Sequence, residues 1–276
     1  MRELSGRVAV VTGASSGIGR ALAVRLAREG MSLMLADVDR GGLAETAALA
    51  GEAKVLTQIT DVSDAVAVRH LADRAFGELG AVHVLCNNAG VFQGGYMWTR
   101  TPEDFTWMLG VNLWGVLHGI QSFVPRMIEQ GTEGHIVNTV SVSGLFAGPY
   151  AGAYALSKYA AFAASQSLAQ DLVTAGSRLR VTALCPGGVR TQINRSERVR
   201  PADLAMARTR DDLAAQSVVD GLVEKGIDPG EVAAAAVEAI KQERFLVLTH
   251  PGYEQGLRDQ AESLLAGTLP ATPVYE

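Results

Sequence analysis

Val8-Ala9-Val10-Val11-Thr12-Gly13-Ala14-Ser15-Ser16-Gly17-Ile18-Gly19 passes from an apolar run, through a turn punctuated by glycines, into the helical pattern of Arg20 to Glu29. A short apolar run bounded by glycine reads as a buried strand, and the periodic stretch behind it as a helix. Glycines in such a turn permit a tight reversal, let backbone N–H groups approach a pyrophosphate and let the helix pack near the strand. The helix N-terminus adds partial positive charge. The stretch therefore predicts a dinucleotide site on Gly13, Ser15, Ser16, Gly17, Ile18 and Gly19, although glycine turns also form for purely structural reasons.

The same rhythm continues along the chain. Ser32 to Ala36 is followed by a helical Leu43 to Leu49, and Val55 to Ile59 by Val66 to Leu79. Val82 to Cys86, Gly134 to Thr139, Val181 to Cys185 and Phe245 to Leu248 add further strands, about seven in all. Alternating strands and helices predict an α/β fold: a doubly wound (Rossmann) parallel sheet with helices on both faces, in three layers. Residues 1–276 read as a single dinucleotide-binding and catalytic domain. Pro102 to Gln130 reads as a long helix disturbed near Gly110 and Pro125. Ala153 to Ala175 is a second, with a small-residue face suited either to a subunit interface or to packing inside one chain. Residues 191–230, with Arg195, Arg198, Arg200, Arg208 and Arg210 and a helical Asp211 to Lys225, interrupt the rhythm as a substrate-loop insertion before the last helix.

Asp37 ends the second strand, where a carboxylate can accept hydrogen bonds from the adenosine ribose hydroxyls; a helix cap is its other reading. Ser16 and Val38 are uncharged where a 2′-phosphate would need basic partners, so NAD is expected over NADP. Arg40 keeps NADP open.

The chain of 276 residues is 48% hydrophobic and carries a net charge of -5. That balance gives no pull toward nucleic acid or an anionic membrane. No apolar run approaches the length a bilayer requires, and the first residues form no signal peptide. Cys86 and Cys185 sit within predicted strands as core thiols, which fits a reducing, cytoplasmic setting. His118, His135 and His250 show no ligand spacing, so no metal is implied.

Tyr154 and Lys158 stand one helical turn apart and project from the same face. A fixed ammonium near a phenol favours phenolate, which would make the pair a tunable acid and base; an exposed helix pair has the same spacing. With the Gly13/Gly17/Gly19 turn, Asp61, Asn87-Asn88-Ala89-Gly90, Asn112, Ser141 and Pro186-Gly187, in this order, the sequence resembles the short-chain dehydrogenase/reductase family from about Leu4 to Leu248.

The resemblance implies an NAD(P)-dependent oxidoreductase that interconverts an alcohol and its ketone. It implies Tyr154 as proton donor or acceptor, and Lys158 as the group that lowers its pKa and holds the nicotinamide ribose. Ser141, rather than Ser143, would bond the substrate oxygen, and Asn112 would support a proton path through Lys158. Asp61 and Val62 would meet the adenine, Asn88, Ala89 and Gly90 the ribose and pyrophosphate, and Pro186, Gly187, Val189 and Thr191 the nicotinamide. The resemblance further suggests a homotetramer, or a homodimer, built through the two long helices.

Loops at the carboxyl ends of the strands should supply substrate contacts: Phe92, Gln93, Gly94, Trp98, Val142, Leu145, Tyr150, Gly188, Ile193 and the segment after Thr191. Most are apolar, which predicts a secondary alcohol or ketone with hydrocarbon surface. Arg195, Arg198 and Arg200 read as a solvated loop face among acids, with anion binding as the alternative. A regulator that binds the dinucleotide without turnover would be expected to lack Tyr154, Lys158 or Ser141. An S-adenosylmethionine-dependent transferase would leave the Tyr/Lys pair unexplained.

Overall fold

The computed structural model describes residues 1–205 and 207–272; residue 206 of the 191–230 stretch and residues 273–276 lie outside it. Seven parallel strands form one sheet in the order β3-β2-β1-β4-β5-β6-β7. They are β1 (Val8–Thr12), β2 (Ser32–Asp37), β3 (Val55–Ile59), β4 (Val84–Asn87), β5 (Gly134–Thr139), β6 (Leu179–Cys185) and β7 (Leu246–Leu248). The order reverses between β1 and β4, which makes their carboxyl ends the switch point where doubly wound sheets bind ligands.

β1, β4 and β5 are buried along their whole length. That is why most of β1 and β4 are runs of apolar residues rather than alternating ones, while the buried His135 and Asn138 of β5 are met by hydrogen bonds with Thr182, Asn87 and Ser165. On one face, Leu22 and Leu26 of α1 (Gly17–Arg28), Leu43 of α2 (Arg40–Leu49) and Val232 to Ile240 of α8 (Pro229–Gln242) cover the sheet. On the other lie Val68 and Leu71 of α3 (Ala65–Leu79), Phe123 and Met127 of α5 (Gly115–Glu129) and Leu168 and Leu172 of α6 (Gly152–Thr174).

The long helix read from Pro102 divides into α4 (Pro102–Leu109) and α5, joined by a π-helical turn, Gly110–Trp114. Part of the small-residue face of α6 is consumed within the chain: Ser165 donates to the Ala161 carbonyl at 2.7 Å and accepts from Asn138 of β5 at 2.9 Å. Leu156, Tyr159 and Val173 remain exposed on the same helix.

The 191–230 stretch forms two 3-10 segments, Ile193–Val199 and Ala202–Leu204, and α7 (Arg210–Glu224). A helix that the sequence reading does not anticipate, α9 (Tyr253–Leu265), follows β7. Among the described residues, no helix is long and apolar enough to cross a membrane.

Candidate active site

The turn after β1 needs glycine for steric reasons that the coordinates make explicit. Gly13 has φ +64°, and a side-chain carbon there would stand 2.7 Å from the Ala89 Cα; one on Gly19 would stand 2.0 Å from the Gly13 carbonyl oxygen. Those approaches bring the turn, the end of β4 and the start of α1 together. Thr12 Oγ1 accepts from the backbone N–H groups of Asn88 and Ala89 at 3.0 and 3.1 Å, and Asn88 Nδ2 donates to the Thr12 carbonyl at 3.0 Å. The Asn88 side chain thus fixes the turn, and its neighbours Ala89 and Gly90 face the cleft.

Asp37 is not a helix cap. Asp39 performs that role for α2, accepting from Gly42 N–H at 3.1 Å. The Asp37 carboxylate instead accepts from the Ser15 N–H at 2.9 Å and stands at the mouth of the glycine turn. Asp61 likewise leaves the cap of α3 to Asp64 and bonds the Ser63 hydroxyl at 2.7 Å. A cleft of about 700 Å³ opens along the carboxyl ends of the strands. Gly13, Ser15, Ser16, Gly17, Ile18, Gly19, Asp37, Asp61, Val62, Asn88, Ala89, Gly90, Pro186, Gly187, Val189 and Thr191 all line it. No acidic side chain occupies the first turn of α1, and Ser16 places no side-chain cap on it. This is an N-terminus suited to an anion such as a pyrophosphate. These residues fit a dinucleotide.

Ser141, Tyr154 and Lys158 line the same cleft. The Tyr154 phenol is pushed up to about 12 by burial, opposed by a hydrogen bond with the Ser141 side chain. Lys158 is 3% exposed. Its ammonium is drawn down to about 8 by burial and donates to the Thr139 carbonyl at 2.9 Å, 5.7 Å from the centre of the Tyr154 ring. The expectation that Lys158 depresses the phenol is therefore not met by the protein's own groups: loss of hydration outweighs an ammonium engaged by a carbonyl. The Tyr154 phenol is therefore neutral at neutral pH.

Ser141 has φ +151°, a conformation that aims its hydroxyl into the cleft as β5 ends. Ser143 lies in the following 3-10 turn, and its N–H donates to Ser141 Oγ at 3.1 Å. Asn112 lies in the π-helical turn, fully buried. Its Oδ1 accepts from Val91 N–H at 2.8 Å; its Nδ2 donates to the Val91 carbonyl at 2.9 Å and to Ser157 Oγ at 3.0 Å. A side-chain carbon on Gly90 would stand 3.3 Å from Asn112 Oδ1 and 3.4 Å from Lys158 Nζ. Asn112 thus clamps the Gly90–Val91 loop beside the lysine.

Several substrate-side expectations are corrected. Gln93 and Gly94 line a separate cavity of about 30 Å³; Phe92 lines it too, but its ring packs edge-on against that of Tyr154, with the ring centres 5.1 Å apart. Trp98 is 80% exposed and stacks on Tyr96, and Leu145 packs in the core beside Phe146 and Tyr253. Val142 packs against that same cluster, and the Tyr150 hydroxyl meets that of Tyr96 at 3.2 Å. Neither these two nor Gly188 is among the residues lining the large cleft, whereas Ile193 is. Trp107, which sequence reasoning missed, lines the cleft and belongs to a buried cluster with Val91 and Met108 against which Tyr154, Val199 and Leu204 pack, the last two from the segment after Thr191 that the sequence pointed to.

Arg200 is not part of a solvated face. Its side chain is 3% exposed, bonds Asp104 at 2.6 Å and lies over the Trp107 ring. Arg100 joins the same buried network through Asp104, Asp211 and Asp212. His250, read only as a non-ligand, donates from Nε2 to the Gly188 carbonyl at 3.1 Å while Nδ1 accepts from Gly187 N–H at 3.4 Å, bracing the Pro186–Gly188 loop. Among the described residues, no cluster suited to a metal ion occurs.

A family model described as short chain dehydrogenase matches residues 7–201. The 1-deoxy-11-beta-hydroxypentalenate dehydrogenase of Streptomyces avermitilis is 37% identical, over 94% of this chain and 90% of its own. The CLA biosynthesis dehydrogenase/reductase of Lactiplantibacillus plantarum is 28% identical, over 100% and 99%. A short chain dehydrogenase/reductase from Burkholderia phymatum, solved in complex with NAD, superposes with a TM-score of 0.97 over the full length of both chains at 43% identity.

Proposed function

The chain belongs to the short-chain dehydrogenase/reductase family of NAD(P)-dependent oxidoreductases acting on hydroxyl groups, and from that premise we propose that it interconverts a largely apolar secondary alcohol and its ketone, with NAD preferred. The observation that carries the reading is that Ser141, Tyr154 and Lys158 line one cleft together with the glycine turn. When bound, the nicotinamide supplies or accepts the hydride.

Residues of the chain account for the remaining work. Gly13 to Gly19 hold the pyrophosphate and Asp37 the adenosine ribose. Asp61 and Val62 meet the adenine, and Pro186, Gly187, Val189 and Thr191 the nicotinamide. Ser141 Oγ donates to the reacting oxygen, and Tyr154 Oη gives it a proton in reduction or takes one in oxidation. Lys158 Nζ, held by Thr139, keeps positive charge beside the phenol. Asn112 fixes the loop against which that lysine lies and so supports its proton path. NAD is favoured because Asp37 lies at the cleft while Arg40 does not line it, and because the Burkholderia relative was solved with NAD. Residues 1–276 act as one domain, with the 191–230 stretch as its substrate loop. The exposed face of α6 is offered for a homotetramer or homodimer.

The test is purified protein with NAD or NADP and a panel of alcohols and ketones, followed by nicotinamide absorbance. Tyr154→Phe is expected to abolish turnover and keep cofactor affinity by calorimetry. An active Phe variant would overturn the assignment, and bound cofactor without turnover in the wild type across the panel would favour a regulator.

A further inference from the structure

We propose that Arg198 is the anion anchor of the substrate site and that the substrate is an apolar hydroxy acid, or its oxo form, whose carboxylate pairs with this guanidinium. The inference rests on the dehydrogenase reading of the cleft and names the class of molecule it takes.

The carrying observation is how charge is distributed around the cleft. Its acidic lining residues are Asp37 and Asp61, both assigned to the cofactor. Its apolar lining includes Trp107, Val199 and Leu204, which share one hydrophobic cluster with Tyr154, and Ile193 and Pro201. Its cationic lining residues are Lys158 and Arg198. Lys158 is buried and engaged by Thr139, which leaves Arg198 to meet a ligand's charge.

Neighbouring charges are already committed. Arg200 pairs with Asp104 at 2.6 Å and Glu197 at 3.3 Å, and Arg100 with Asp104, Asp211 and Asp212. Asn194 and Gln216 donate to Asp220. The hydrogen bond recorded for Arg198 runs from Nη1 to the Arg195 carbonyl at a long 3.4 Å, and no acid of the described residues lies within ion-pair distance of it.

Its backbone is nonetheless held. Buried Ser196 accepts from Phe92 N–H at 2.9 Å and donates to the Ile193 carbonyl at 2.7 Å, which pins the 3-10 segment carrying Arg198 to the loop after β4. A guanidinium on a fixed backbone at the rim of an apolar wall matches a carboxylate joined to a hydrocarbon body. A neutral alcohol would leave that charge unused.

The experiment uses the NAD-loaded full chain and a series of secondary hydroxydecanoic acids, with the carbinol moved stepwise along the chain, each beside its methyl ester. The expected result is a wild-type preference for acid over ester in kcat/KM that weakens with added salt and falls about tenfold in Arg198→Ala, chiefly through KM, while Arg198→Lys keeps most of it. Equal treatment of acid and ester by the wild type, or an unchanged preference in Arg198→Ala, overturns the proposal. Should no member be turned over, calorimetry with decanoate and methyl decanoate decides the matter. Decanoate binding that depends on Arg198 upholds the anion anchor while the dehydrogenase reading fails, and binding indifferent to Arg198, or none, overturns the anchor itself.

Discussion

Replacing Lys158 with Met should make the protein more stable while removing its activity. The lysine is 3% exposed, and burial draws its pKa from 10.5 to about 8. Held charged at pH 7, such a group costs the fold about 3 kcal/mol relative to a lysine in water. Methionine fills a similar volume without the charge. It leaves the Thr139 carbonyl without its ammonium partner, which returns about 1 kcal/mol of the gain. The net is about 2 kcal/mol in favour of the variant, or about 4 °C in Tm for a domain of this size.

The pH dependence is the sharper signature. Because the folded pKa lies below the unfolded one, the wild type is penalised most below pH 8 and recovers as pH rises toward 10.5. Lys158→Met has nothing to recover, so its advantage should shrink by about 2 kcal/mol between pH 7 and pH 9.5. Urea unfolding of both proteins across that range is the assay. A variant less stable than the wild type, or a difference that ignores pH, would refute the reasoning that burial rather than ion pairing governs this lysine.

His135 is fully buried and pushed down to about 3. Thr182 donates to the Arg244 carbonyl, so it must accept from His135 Nε2, and a proton on Nδ1 would find no acceptor. Its contribution is complete above pH 6.5 and is lost as pH falls, about 2 kcal/mol by pH 5; His135→Gln should remove that part of the acid sensitivity of the urea midpoint. Gly19→Ala drives a methyl to 2.0 Å from the Gly13 carbonyl oxygen, so NAD affinity measured by calorimetry should fall by more than about tenfold. Asp104→Asn takes the carboxylate from between Arg100 and Arg200 and should cost about 3–5 kcal/mol by urea unfolding, with faster proteolysis within residues 191–209; stability and cleavage both unchanged would count against the network as the fastening of that segment.

The fold was legible because the central strands are buried on both faces. Val8 to Val11 and Val84 to Cys86 carry no polar residue for a helix-like period to imitate, and the glycine turn has a steric reason at each close approach. The disturbance at Gly110 was readable as a break, but its form, a π-helical turn that buries Asn112, depends on Val91 and Ser157, which are distant in sequence. The apolar wall beside Tyr154 was less legible for the same reason. Leu204 packs on the Trp107 cluster from a segment that Arg200 ties to Asp104 across a separation of 96 residues. In the sequence, Arg195, Arg198 and Arg200 look alike; which one is buried, and which faces the cleft, is set by a carboxylate on another helix. The Lys158 anchor is a main-chain carbonyl, and a carbonyl carries no sequence signature.

Burial connects these observations to the chemistry. The same dehydration that raises the Tyr154 phenol to about 12 lowers the Lys158 ammonium to about 8, so the two groups are moved toward exchanging a proton rather than away from it. In water their ordinary values differ little, and neither would transfer a proton at neutral pH. In the proposed reaction, the phenol is the form that would give a proton to a developing alkoxide, and the lysine, close to neutral pH, the group that would restore it. The fold bears the cost of that arrangement in a buried charge held by one carbonyl, which is why the lysine should be dispensable for stability and indispensable for turnover.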